Sequence, residues 1–166
     1  MDSMDTIRIR GFEPRYAEDV SRMLRNAFFW YHRGDESCWL WKSFSPENIL
    51  RRCSRDKCLI ALKDNRVVGF ISFSTTLYKV AYVSLVAVDP EYWGKGVASL
   101  LLDTLEEKLR AEGFRKIWLM VTHVNRRAVS FYLKKGFVPE GILRDHTAEG
   151  LHEIIMSKKL NSFNRE

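Results

Sequence analysis

The spacing of apolar and polar residues changes several times along the chain, and each change marks an element. Residues 80–88 (VAYVSLVAV) are almost continuously apolar and rich in β-branched and aromatic side chains, which predicts a strand covered on both faces. Asp89-Pro90 stops it, because proline has no N–H for a ladder and restricts the residue before it. From Val97 the period becomes helical: Val97, Leu101, Leu105 and Leu109 recur every four residues, and Leu102 widens the stripe. Asp103, Glu106, Lys108 and Arg110 fall on or beside the wet face, with Glu106 and Arg110 a favourably ordered i,i+4 pair. Gly113 supplies a left-handed stop.

The same reading extends to both sides. Residues 6–11 (TIRIRG) alternate apolar and basic side chains, as a half-exposed strand does. Pro14 opens a helix to about Phe28, with Ala17, Val20, Met23, Leu24 and Ala27 inward. A second helix begins with Ser45 as N-cap, Pro46 in the first turn and Glu47 beside it, and ends near Arg55. Residues 58–63 and 66–75 form strands joined by a hairpin turn at Asp64-Asn65, and the short Tyr78-Lys79 connection makes residues 80–88 antiparallel to the second of them. Residues 116–121 (KIWLMV) form a strand which, after a right-handed helical crossover, runs parallel to 80–88. Asn125 caps a helix to about Lys135, ended by Gly136, with Val129, Tyr132 and Leu133 as its inward stripe. Residues 137–143 and 152–159 finish as strands around a Glu149-Gly150 turn. The order is β-α-α-β-β-β-α-β-α-β-β, an α/β fold of the mixed-sheet, α+β kind. With 166 residues and no linker, repeat or low-complexity stretch, residues 1–166 read as one domain.

Composition narrows the function classes. Hydrophobic residues at 46% with 29% charged residues describe a globular chain. The first twelve residues lack the apolar core of a signal peptide, and no run reaches membrane-spanning length, so the expected location is the cytoplasm. Cys38, Cys53 and Cys58 are then reduced thiols, and the four scattered histidines offer no metal-ligand spacing, so no metal is expected. A net charge of +6 suits a polyanionic partner or merely keeps the chain soluble. The basic residues are not gathered on one helix face, which argues against nucleic acid.

Three stretches carry candidate chemistry. Trp93-Gly94-Lys95-Gly96-Val97-Ala98 links the central strand to its helix. Two glycines, a cation and a helix N-terminus make either a phosphate cradle or a plain strand-to-helix turn. The spacing is neither a P-loop nor a full dinucleotide fingerprint, since Ser99 stands where the third glycine would be. Residues 28–44 hold Phe28, Phe29, Trp30, Tyr31, Trp39, Trp41 and Phe44, as a satellite core with most of them inside, or as the wall of a pocket. Tyr132 is either a core residue or a general acid, since a phenol within hydrogen-bond reach of a leaving group can protonate it.

Together, residues 86–98 (VAVDPEYWGKGVA), then Asn125, Phe131-Tyr132 and Gly136-Phe137, within this element order, resemble the Gcn5-related N-acetyltransferase (GNAT) family. The resemblance covers most of the chain and implies a mixed sheet with two parallel central strands splayed around acetyl-CoA. It implies that the backbone of Val86, Ala87 and Val88 meets the pantetheine arm. Trp93, Gly94, Lys95, Gly96, Val97, Ala98 and Ser99 would take the pyrophosphate. Asn125 would contact the co-substrate, and Tyr132 would protonate the departing thiolate. An amine attacks the thioester directly, so no nucleophilic Ser or Cys is required, and positioning with carbonyl polarisation does most of the catalysis.

Two departures stand out. Trp93 replaces the Gln or Arg that usually opens the turn, removing a side-chain contact to phosphate. Tyr82 occupies the central-strand position where some relatives carry a glutamate base. Deprotonation of the ammonium then uses water, a backbone carbonyl or a carboxylate elsewhere, for which Asp35, Glu36, Asp145 and Glu153 are the candidates. The acceptor implied is a small-molecule amine or a peptide or protein amine, chosen by the aromatic stretch and by residues 140–146 (EGILRDH). A non-catalytic acyl-CoA-binding module on the same scaffold is the alternative. A homodimer is only the usual default for an oligomer.

Overall fold

Residues 67–73 are buried throughout, whereas residues 80–88 are less covered than their apolar run predicts: Ala81, Val83, Ala87 and Val88 are buried and the residues between them only partly so. The computed structural model describes residues 7–161; Thr6, at the start of the first expected strand, lies outside them, as does the first half of the N-terminal stretch read for a signal peptide. In chain order the elements are β1 (Arg8–Gly11), a 3₁₀ turn (Pro14–Tyr16), α1 (Ala17–Ala27), α2 (Phe29–His32), α3 (Trp39–Ser43) and α4 (Pro46–Arg55). They continue with β2 (Lys57–Lys63), β3 (Arg66–Thr75), β4 (Val80–Val88), a 3₁₀ turn (Pro90–Tyr92) and α5 (Val97–Ala111). The last are β5 (Lys116–Thr122), α6 (Arg126–Lys134), β6 (Val138–Ala148) and β7 (Leu151–Lys159). The sheet runs β1-β2-β3-β4-β5-β7-β6 and is mixed, with β4 and β5 parallel. The chain divides into two compact units, one of Met1–Phe73 with Leu85–Thr104 and one of Ser74–Ser84 with Leu105–Glu166.

In the first unit α1 and α4 cover one face of the sheet. Val20, Met23 and Leu24 of α1, Phe44, Ile49 of α4, Ile60 and Leu62 of β2, and Val67 and Phe70 of β3 form one buried cluster. Ser45 caps α4 as expected, its hydroxyl accepting from the Asn48 N–H at 3.3 Å. The hairpin between β2 and β3 turns on Asp64 and Asn65, both at positive φ (49° and 62°), the geometry a tight two-residue turn requires. On the opposite face α5 approaches β3 closely at Gly69. A Cβ there would stand 2.9 Å from the Leu101 and Val97 side chains and 3.2 Å from the Ala61 Cβ. Gly69→Ala is therefore expected to destabilise the protein by about 1–3 kcal/mol through overpacking, measured by urea denaturation. Wild-type stability would mean that α5 moves aside without cost.

In the second unit β5 pairs with β4 in parallel (Val80↔Lys116 to Val83↔Leu119) and with β7 antiparallel (Lys116↔Lys159 to Thr122↔Glu153). Ile117, Leu119 and Val121 are buried on one face of β5. On the other face Tyr82 of β4 lies against Trp118, ring centroids 4.3 Å apart.

Four expectations need correction. The aromatic stretch, to which the hydrophobic pattern assigns no element, holds α2 and α3, too short to show a helical period. The first helix does not begin at Pro14: a 3₁₀ turn, Pro14–Tyr16, precedes α1. Glu106 is not on the wet face: it is 2% exposed and ion-paired to Lys158 (2.9 Å) of β7 as well as to Arg110 (3.2 Å). Leu133 is half exposed, so the inward face of α6 rests on Tyr132, with Val129 only partly covered.

Candidate active site

In the first unit, the end of β4 leads into a turn whose geometry is set from within. Asp89 is 3% exposed; its amide donates to Val68 O (2.9 Å), its Oδ1 accepts from the Glu91 N–H (3.0 Å), and its Oδ2 accepts from Arg66 Nη2 (3.1 Å). These bonds fix where the chain leaves β4. Gly94 and Gly96 then take φ of +74° and +80°, a region that L side chains rarely adopt, and nothing lies within 4 Å of a Cβ built on Gly94. The first helical bond of α5 runs from the Leu100 N–H to Gly96 O at 2.9 Å. The amides of Val97, Ala98 and Ser99 therefore precede the ladder and form the donor end of the helix dipole. Lys95 is exposed above the turn, its Nζ 5.2 Å from the centre of the Tyr92 ring. The space and the donor set fit a pyrophosphate.

Trp93 has a role the sequence did not reveal. Its indole N–H donates to the carbonyl of Val88 at 2.8 Å, so the ring closes the turn upon the strand that precedes it. Val86 is partly buried and Ala87 and Val88 are buried, so this strand end offers backbone more than side chain.

In the second unit, Asn125 follows β5 and caps α6, its Oδ1 accepting from the Ala128 N–H at 3.2 Å. Two turns of helix further on, Tyr132 is 8% exposed and packed edge-on against Phe131 (5.2 Å) and Phe137 (5.5 Å). Its hydroxyl makes no hydrogen bond among the described residues, and burial pushes its pKa above the ordinary phenol value. Such a phenol holds its proton across the physiological range and has it to give.

The candidate bases separate by environment. Asp35 and Glu36 are exposed on the α2–α3 connection, and Asp35 is held below the usual carboxylate range by hydrogen bonds from Ser37. Asp145, at φ +51°, accepts from the Gly150 N–H at 2.7 Å and shapes the hairpin between β6 and β7. Glu153 is 7% exposed and accepts from Thr122 Oγ1 (2.8 Å) and Thr147 Oγ1 (2.7 Å). Beside it the His123 and His152 rings stack at 4.8 Å, a pairing invisible without the β5–β7 register.

The aromatic stretch of the first unit is less buried than a satellite core. Phe44 is buried, but Phe29, Trp30 and Trp39 are exposed by 58%, 43% and 53%. His32 is buried as well; its Nδ1 accepts from the Gly34 N–H (2.9 Å) and its Nε2 therefore donates to Arg25 O (2.7 Å). Cys53 and Cys58 are unbridged, and the Cys53 thiol together with burial pushes the Cys58 thiol up, leaving it unreactive. Among the described residues no group of three or more His, Cys, Asp or Glu could hold a metal ion, and no helix is long and apolar enough to cross a membrane.

A mixed sheet with two parallel strands, a glycine turn opening a helix at the end of one and an Asn-capped helix after the other define an acyl-CoA transferase fold. The family model for the acetyltransferase (GNAT) family matches residues 9–137, and the chain belongs to that family. Among curated relatives, it is 33% identical over 97 residues to the ribosomal protein bS18-alanine N-acetyltransferase of Escherichia coli K12, covering 57% of this chain and 66% of that one. It is 30% identical over 95 residues to the Salmonella typhimurium enzyme of the same name, and 30% over 74 residues to an uncharacterised protein of Bacillus subtilis. The match spans 45% and 64% of the lengths of the Bacillus and Salmonella relatives. Among solved structures, the PaiA N-acetyltransferase of Thermoplasma acidophilum in complex with coenzyme A superposes with a TM-score of 0.77 at 27% identity, covering 92% of this chain and 98% of that one. The Escherichia coli ribosomal-protein-S18-alanine N-acetyltransferase shares the fold, with a TM-score of 0.78 at 21% identity over 96% of this chain and 97% of that one.

Proposed function

We propose that the protein is an N-acetyltransferase that moves the acetyl group of acetyl-CoA directly to the α-amine of a peptide or protein. The observation that carries this reading is the open glycine turn after β4, with two glycines at positive φ opening α5, in a chain that belongs to an acetyltransferase family. Residues 1–166 act as one such domain in the cytoplasm. Backbone groups of Val86, Ala87 and Val88 hold the pantetheine arm and polarise the thioester carbonyl. Trp93 to Ser99, through their amides and Lys95, hold the pyrophosphate, and Asn125 contacts the co-substrate. The amine nitrogen bonds to the carbonyl carbon, the C–S bond breaks, Tyr132 gives its proton to the departing sulfur, and the proton shed by the nitrogen restores the phenol. A peptide acceptor is favoured by the curated relatives, whose names specify ribosomal protein alanine and N-α-acetylation. The exposed Phe29, Trp30 and Trp39 supply an apolar surface for the residues behind that amine.

The test is calorimetric titration with acetyl-CoA, followed by thiol release with an alanine-initiated peptide and a panel of small amines. Binding with peptide-dependent release is expected. Release with a small amine alone would move the acceptor to that class. Binding without release would favour the acyl-CoA-binding module, the reading that Tyr82 at the usual base position supports. No binding would overturn both.

A further inference from the structure

Glu153 is a buried carboxylate without a cation. Its Oε1 accepts from two neutral hydroxyls, and neither oxygen has an ion pair among the described residues. Buried carboxylates are ordinarily matched by a positive charge, because removing one from water costs several kcal/mol that hydroxyls offset only in part. The second oxygen, Oε2, is therefore free to receive a positive group from outside. The strand register says which face it occupies. Tyr82 lies opposite Trp118 across the parallel pair, and Trp118, Met120 and Thr122 lie opposite Ser157, Ile155 and Glu153 across the antiparallel pair. Opposed residues share a face and alternate residues return to it, so Glu153 is on the face that carries Tyr82.

We propose that Glu153 binds the acceptor's ammonium group and is the base that deprotonates it. This rests on the acetyltransferase reading above. Tyr82 has replaced the glutamate of the central strand, and Glu153 does that work from β7. One N–H proton of the ammonium passes to Oε2, freeing the lone pair that forms the N–C bond. The C–S bond breaks, Tyr132 protonates the sulfur, the second proton that the new amide nitrogen must lose returns to the tyrosinate, and the proton on Glu153 leaves to water. Thr122 and Thr147 hold Oε1 and so aim Oε2. The other titratable or charged groups on the neighbouring strands are Lys116 on β5 and His123 after it, Glu140, Arg144, Asp145 and His146 on β6, and His152, Lys158 and Lys159 on β7. His152 and His123 are engaged with each other and with backbone: the Asp145 N–H donates to His152 Nδ1 (3.0 Å) and the His152 N–H to His123 Nδ1 (3.1 Å).

The experiment is the pH profile of kcat/KM for the full chain and for Glu153→Gln, using the alanine-initiated peptide or the most active amine of the panel. With a base present, the ammonium form is productive, and the wild-type profile stays flat below the α-amine pKa of about 8 until the carboxylate protonates. In Glu153→Gln only free amine reacts, so kcat/KM falls tenfold per pH unit below that pKa, while acetyl-CoA binding by calorimetry is unchanged. A wild-type profile that already falls tenfold per unit, or a variant profile as flat as wild type, overturns the proposal and leaves the acetyltransferase reading standing. Absence of acetyl-CoA binding by the wild type overturns both. If Glu153→Gln does not fold, Thr147→Val decides. Losing one hydroxyl donor should move the lower break of the profile to higher pH, and an unmoved break overturns the proposal.

Discussion

Gly96→Glu should abolish acetyl-CoA binding, with the titration heat reduced to dilution. The substitution acts twice on the same turn. At φ +80° any side chain is strained by about 1 kcal/mol or more, which distorts the amides that open α5. The new carboxylate then stands where the phosphates would approach, beside Lys95, and repels them. Gly96→Ala separates the contributions: it carries the strain without the charge and should weaken binding far less. A Gly96→Glu protein that melts like wild type and still binds acetyl-CoA would show that the turn does not hold the co-substrate.

Tyr132→Phe should lower kcat by about 10²- to 10⁴-fold, the usual range for removing a general acid, while leaving acetyl-CoA affinity almost unchanged. Stability should barely move, because the hydroxyl has no hydrogen bond among the described residues to lose and the phenylalanine fills the same pocket against Phe131 and Phe137. The sign of the pH effect is fixed by burial. The folded state holds the phenol proton to higher pH than the unfolded chain, whose tyrosines ionise near about 10. Above that pH the unfolded chain gains from releasing the proton and the folded chain does not, so wild-type stability declines as pH rises. Tyr132→Phe should flatten that decline, measured as denaturation midpoints between neutral and alkaline pH. A variant that simply unfolds at neutral pH would reduce Tyr132 to a packing residue.

Much of this architecture was legible in the residues because local chemistry dictated it. Asp64-Asn65, Ser45-Pro46, Asn125 and Gly113 each satisfy a requirement of their own few neighbours, and each occurs where those requirements placed it. The glycine turn was legible for the same reason. What was hidden depends on partners distant in sequence. Glu106 looks like a surface residue of a helix until Lys158, fifty-two positions on, turns out to face it. Trp93 looked like the loss of a phosphate contact, and its bond to Val88 appears only once the turn is folded. Glu153 was one of four candidate carboxylates until the pairing of three strands set two threonines against it. The strand order at this end of the sheet was not readable either, since β7 inserts between β5 and β6.

That insertion leaves β6 as the outermost strand at one end of the sheet and the four-residue β1 at the other. An outermost strand offers unpaired amides and carbonyls to any other chain, and a long flat one invites strand-by-strand polymerisation. β6 is eleven residues long but is neither flat nor uniform. Its register slips between Pro139 and Gly141 and again between Leu143 and Ala148. Pro139 withholds an N–H, and Glu140, Arg144 and Asp145 would carry charge into any intruding strand. The exposed Val138 and Ile142 are thereby kept from forming a continuous sticky edge. The loops and charges of this hairpin thus work against strand-by-strand addition of further copies at this edge.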